Sequence, residues 1–170
     1  MAKSQATANA SIAAAVSLDG RFDLMADSDI ADSSTIPHAT ERAVSHGGFE
    51  YYAVTVQAGA GVVFDIDNAS FDSTLRLFDA NGVELAKNDD SASDGGSDTD
   101  SGLVHTFATA GVYYIQVAAW AANVGGTFTS MAAPAGAGYT LHVSVPSAPV
   151  VALILQGSTL NGDGGADRLE

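Results

Sequence analysis

Between positions 49 and 145 the chain alternates apolar and polar residues in short runs separated by Gly, Asn and Asp turns. Residues 49–56 are aromatic and β-branched, the composition of a half-buried strand. Residues 57–61 turn the chain. Residues 62–67 then alternate strictly, with Val62, Phe64 and Ile66 on one side and Val63, Asp65 and Asp67 on the other. Residues 71–79 form the next strand, and Asn81-Gly82 marks a hairpin because both residues tolerate positive φ. Residues 83–87, 103–108, 112–117 and 138–145 follow as strands. Upstream, residues 21–25 alternate and residues 38–45 read as a short edge strand. The Ala- and Gly-rich stretch 119–137 reads as a long loop. Many short strands with no helical period predict an all-β, antiparallel β-sandwich or barrel.

Composition divides the chain into three parts. Residues 1–17 are Ala-, Ser- and Thr-rich, the expectation for a flexible leader. Residues 18–146 carry the strand pattern, and Pro146 and Pro149 mark its end. Residues 147–170 read as a linker with a Gly- and Asp-rich tail. No apolar run approaches the roughly 20 residues that a membrane-spanning helix needs.

The candidate chemistry centres on residues 88–101, which hold Asn88, Asp89, Asp90, Asp94, Asp98 and Asp100 with no Lys or Arg among them. Such a segment cannot bury enough apolar surface to offset the entropy of ordering it. A hard cation neutralises clustered carboxylates, and Ca2+ accepts six to eight oxygen ligands in flexible geometry. The alternative is a solvated acidic loop. Asp27, Asp29 and Asp32 form a second acidic group, either a further metal shell or caps on Asx-type turns.

Charge and motifs narrow the function. A net charge of −14 argues against nucleic acid and anionic lipid as partners. The absence of cysteine removes disulfides and thiolate metal sites. With few Lys and Arg and abundant Asp, Gly, Ala, Thr and Ser, the composition suits a secreted bacterial protein. The sequence contains no zinc-peptidase, nucleophile-elbow or phosphate-loop motif. His38, His46, His105 and His142 are scattered, and His105 and His142 lie in strands, which favours a surface or satisfied core role for them over catalysis. Trp120 and Tyr114, with Phe128 and Tyr139, either pack the core or form an aromatic platform for a sugar or peptide.

Several of these pieces stand in a familiar order. Residues 51–56 with their glycine turn come first, then residues 72–79 with Asn81-Gly82. Asn88-Asp89-Asp90, Asp100-Ser101 and residues 111–117 complete the series. Together they resemble the bacterial pre-peptidase C-terminal domain over roughly residues 18–146. The resemblance implies a jelly-roll-like β-sandwich and a non-catalytic accessory module of secreted proteins, some of whose relatives bind calcium. Carried over residue by residue, it implies Asp72, Asn88, Asp89, Asp90, Asp98 and Asp100 as metal ligands, with Asp65 and Asp67 in second rank. Residues 162–169 resemble one turn of an RTX nonapeptide, in which Asp167 is the ligand. One turn cannot complete a site, so the tail implies a parent protein that continues into a β-roll and leaves the cell by type I secretion; an ordinary linker is the alternative. The expected function is therefore a monomeric, non-enzymatic, Ca2+-binding module beside other domains of a secreted protein. Its main rival is an adhesive module binding glycan or matrix protein around Trp120 and Tyr114. A hydrolase using paired Asp residues is not expected.

Overall fold

The computed structural model describes residues 9–91 and 99–151. Among the described residues, ten strands form two sheets that pack face to face: β1 (Val16–Ser17), β2 (His38–Val44), β3 (Glu50–Val56), β4 (Gly61–Asp67), β5 (Ser73–Phe78), β6 (Glu84–Asn88), β7 (Gly102–Thr106), β8 (Gly111–Val124), β9 (Thr127–Met131) and β10 (Gly138–Ser144). The first sheet has the order β1-β3-β8-β5-β6, with β9 paired to β8; the second has the order β2-β10-β4-β7. All pairings are antiparallel except β1 with β3. The protein is thus an all-β sandwich.

The period-2 pattern builds the core directly. Val62, Phe64 and Ile66 of β4 are sealed between the sheets, as are Leu141 and Val143 of β10. From the first sheet they meet Tyr52 and Val54 of β3, Leu75 and Leu77 of β5, and Ile115 and Val117 of β8. Each such side chain contributes roughly 1.5–3 kcal/mol when fully buried. The Asn81-Gly82 hairpin joins β5 to β6 as expected, with Gly82 at φ +78°. Asp79 caps this turn by accepting the backbone N–H groups of Asn81 and Val83.

Three features depart from the sequence expectation. The stretch 119–137 is not one long loop, because β8 runs on to Val124 and folds back as β9. Alanine is a weak strand former, but here the pairing of β8 with β9 supplies the extended geometry. Residues 9–17, expected within the leader, lie on the sandwich: Val16 pairs with Tyr52, and the Asn9 carbonyl accepts the Tyr51 N–H. Residues 21–25 form a single bridge, Asp23 to His38, in place of a strand.

Tyr139 belongs to the core. Its hydroxyl donates to Glu50 Oε2 at 2.6 Å and also hydrogen-bonds the Tyr52 hydroxyl. Burial raises the pKa of both tyrosines well above the ordinary phenol value. Glu50, itself buried, also accepts the His46 N–H. The polar ends of this trio satisfy one another inside the sandwich.

Candidate metal centre

The acidic stretch connects the edge strand of one sheet, β6, to the edge strand of the other, β7. The β4-to-β5 connection makes the same crossing beside it: Ile66 N–H donates to the Ser101 carbonyl and Ser73 N–H to the Thr99 carbonyl. Asn68, at φ 55°, turns the chain as β4 ends.

Ser101 ties the two connections together. It is fully buried, and its hydroxyl reaches the Ser73 carbonyl at 2.7 Å and the Asp89 carbonyl at 2.9 Å. Its own N–H donates to Ser73 Oγ at 2.9 Å. Asn88 Nδ2 donates to the Gly102 carbonyl, Asn88 Oδ1 accepts the Asp90 N–H, and Ser91 N–H donates to the Asp100 carbonyl. Gly102 is required by crowding. A Cβ there would lie 2.7 Å from Ser91 Oγ and 2.9 Å from Ser91 Cβ.

This stem gathers negative charge. The Asp72 carboxyl is held above its ordinary pKa, first by desolvation and then by the charges of Asp90 and Asp89. Asp100 is buried at the foot of the stem. Lys87, the basic residue that leads into the stretch, is engaged elsewhere. Its Nζ lies 4.8 Å from the Phe128 ring centroid and 3.9 Å from Glu84 Oε1.

Asp65 and Asp67 lie on the outer face of β4, as the alternation predicts, yet both are buried. Asp65 pairs with Gly102 on one side and with His142 on the other, which places it at the stem end of the sandwich. A cavity of about 550 Å³ lies over this face, bordered by Asp65, Asn88, Asp90, Ser91, Asp29 and His142. Its floor and rim are apolar at Val63, Leu103, Val104, Ile30 and Ile36.

The structure therefore brings Asp72, Asn88, Asp89, Asp90 and Asp100 to one end of the sandwich, with Asp65 and Asp67 on the adjoining strand. Asp98 and Asp167 lie outside the described residues, as do Asp94 and the tail 162–169. Tyr114 and Trp120 share one face of β8 but are six residues apart, roughly 20 Å along a strand. Phe128 is buried beneath Lys87 and Arg76, and Tyr139 is in the core, so the four aromatics do not form a joint platform. From sequence, Asp100-Ser101 enters only as a piece of the family-like series, and Ser73 and Gly102 have no assigned role. The repeated Ser next to Asp, in Asp72-Ser73 and Asp100-Ser101, is the signal that was there to find.

Residues 48–119 match the family model of the bacterial pre-peptidase C-terminal domain. The match spans β3 to most of β8, including both connections that Ser101 joins. No curated protein matches the chain. Among solved structures, the periplasmic inhibitor of g-type lysozyme PliG from Aeromonas hydrophila is 16% identical, covering 64% of this chain and 85% of its own, with a TM-score of 0.41. The PliG of Salmonella Typhimurium is 15% identical, covering 64% and 86%, with a TM-score of 0.38.

Proposed function

We propose that this domain is a non-catalytic accessory module of a secreted bacterial protein and that Ca2+ binds at its acidic end. The observation that carries the reading is the Ser101-tied stem, which sets Asp89 and Asp90 against Asp72 and engages the neighbouring Lys87 elsewhere. Like charges brought together in a fold cost stability, and a dication offsets that cost. Asp72, Asn88, Asp89, Asp90 and Asp100 supply oxygen ligands, and Asp98 lies on the same connection. Asp65 and Asp67 support them from β4. The match to the pre-peptidase C-terminal domain supports the accessory role and the location outside the cytoplasm. Neighbouring domains, an RTX-like β-roll continuing from Asp167, and type I export complete the proposal.

Because Ca2+ binds the folded state, it stabilises that state by RT ln(1 + [Ca2+]/Kd). Cytosolic calcium is low, so the ion would complete the fold after export. Isothermal titration of the metal-free protein tests the site. The expected result is saturable Ca2+ binding that weakens at least tenfold in Asp89→Asn/Asp90→Asn. Equal affinity in the double variant would remove the stem from the site.

A further inference from the structure

Beside the same cavity lies a different donor set. We propose that Asp29, Asp67 and His142 hold a zinc-class divalent cation, at a site that shares Asp67 with the second-rank calcium candidates but does not rest on that reading.

The three residues come from three separate parts of the chain. Asp29 lies in the loop between β1 and β2, Asp67 ends β4, and His142 is in the middle of β10. One donor atom of each lies within 4.8 Å of the other two. His142 is 2% exposed, and its Nε2 is buried without a hydrogen bond. An imidazole nitrogen sealed from water without such a bond loses its solvation for no return unless something else occupies its lone pair. Asp67 Oδ2 lies 3.3 Å from that nitrogen but off the line a hydrogen bond needs. Two ligands on one tetrahedral zinc, each about 2.0–2.2 Å from the metal, sit roughly 3.3–3.6 Å apart. The His142–Asp67 pair already has that spacing. Asp29 is exposed and needs to move inward by about 1.5 Å at most to match it.

The second shell fits as well. His142 Nδ1 lies 2.9 Å from Thr40 Oγ1, on the strand directly opposite. With the proton on Nδ1 donated to Thr40, Nε2 presents its lone pair toward Asp29 and Asp67, the arrangement in which metal-bound histidines are oriented. Burial lowers the His142 pKa against the opposing charges of Asp27 and Asp29, with Arg42 and His38 adding to the lowering. The neutral ring is the form that ligates a metal. One nitrogen with two carboxylates suits Zn2+ or Co2+ better than Ca2+, which takes oxygen ligands. Asp29 and His142 both border the cavity, so the fourth coordination position faces it and takes water.

Cobalt titration of the metal-free full chain tests the site, with Co2+ reporting through its visible d–d absorption. The wild type is expected to show a band that Zn2+ displaces, and Asp89→Asn/Asp90→Asn is expected to keep it. His142→Ala should lose the band, and Thr40→Val should weaken Zn2+ binding about 10- to 100-fold while still melting cooperatively. If His142→Ala does not fold, the ring nitrogens of the wild type decide: Zn2+ must shift His142 Nε2 in a nitrogen-15 spectrum. Absence of Zn2+ binding, a band unchanged in His142→Ala, or an Nε2 signal unmoved at saturating Zn2+ would each overturn the proposal.

Discussion

Ser101→Ala isolates the device that assembles the acidic end. The hydroxyl is fully buried and serves the Ser73 and Asp89 carbonyls, while the Ser101 N–H to Ser73 Oγ bond survives the substitution. Removing it strips a proton donor from two carbonyls at the base of the stem. A buried polar group left unsatisfied costs about 1–3 kcal/mol, so a loss of about 2 kcal/mol is expected. For a domain of this size each kcal/mol moves Tm by roughly 2–4 °C near 150 residues, and more for smaller units, so Tm should fall by roughly 4–8 °C. Calorimetric melts of wild type and variant in metal-free buffer provide the measurement. Because Asp89 is held through its own carbonyl, the variant should also bind Ca2+ more weakly than wild type. A Tm within 1 °C of wild type, with Ca2+ affinity unchanged, would refute the view that this hydroxyl organises the stem.

Three further substitutions probe the frame around it. Gly102→Ala places a methyl against Ser91 Oγ and Cβ, so it should lower Tm and shift the amide resonances of Ser91 and Asp65. Tyr139→Phe leaves Tyr52 and the buried Glu50 without their shared hydroxyl and should cost about 1–3 kcal/mol in urea unfolding. The pKa of Asp79 is lowered, chiefly by the Val83 N–H, so its charged form is favoured in the fold. Its contribution is present above the unfolded value of 3.8 and is lost as pH falls through the lower folded pKa. Asp79→Asn should therefore melt below wild type at neutral pH, and the gap in Tm should close as the pH is lowered past that range.

Much of the sandwich was legible because burial on one face imposes period 2. Val62, Phe64 and Ile66 face inward, and Asp65 and Asp67 leave the opposite side, as the alternation required. The same logic could not say that the outer face would be covered. Asp65 and Asp67 are buried on that face, and the cavity over it is bordered by Asp29 and Ile30 from a segment far away in sequence. His142 was unreadable for the same reason, since its partner Thr40 is 102 residues away and Asp67 lies on a neighbouring strand. Tyr139 was assigned to either core or surface because alternation gives two faces without saying which is inside. Residues 119–124 look like loop in the sequence because their Ala-rich composition hides a pairing that the chain makes only after the turn at Gly125-Gly126. The acidic stem was recognised by charge, while the Ser73–Ser101 bonds that close it required the register of two connections between sheets.

The thermal stability of the metal-free protein with and without Ca2+ tests the central claim most directly. At a free Ca2+ concentration of 100 Kd, binding to the folded state adds about 2.7 kcal/mol. That corresponds to a rise in Tm of roughly 5–10 °C, abolished by Asp89→Asn/Asp90→Asn. An identical Tm with and without millimolar Ca2+ would contradict the account and leave the clustered carboxylates as a solvated acidic end.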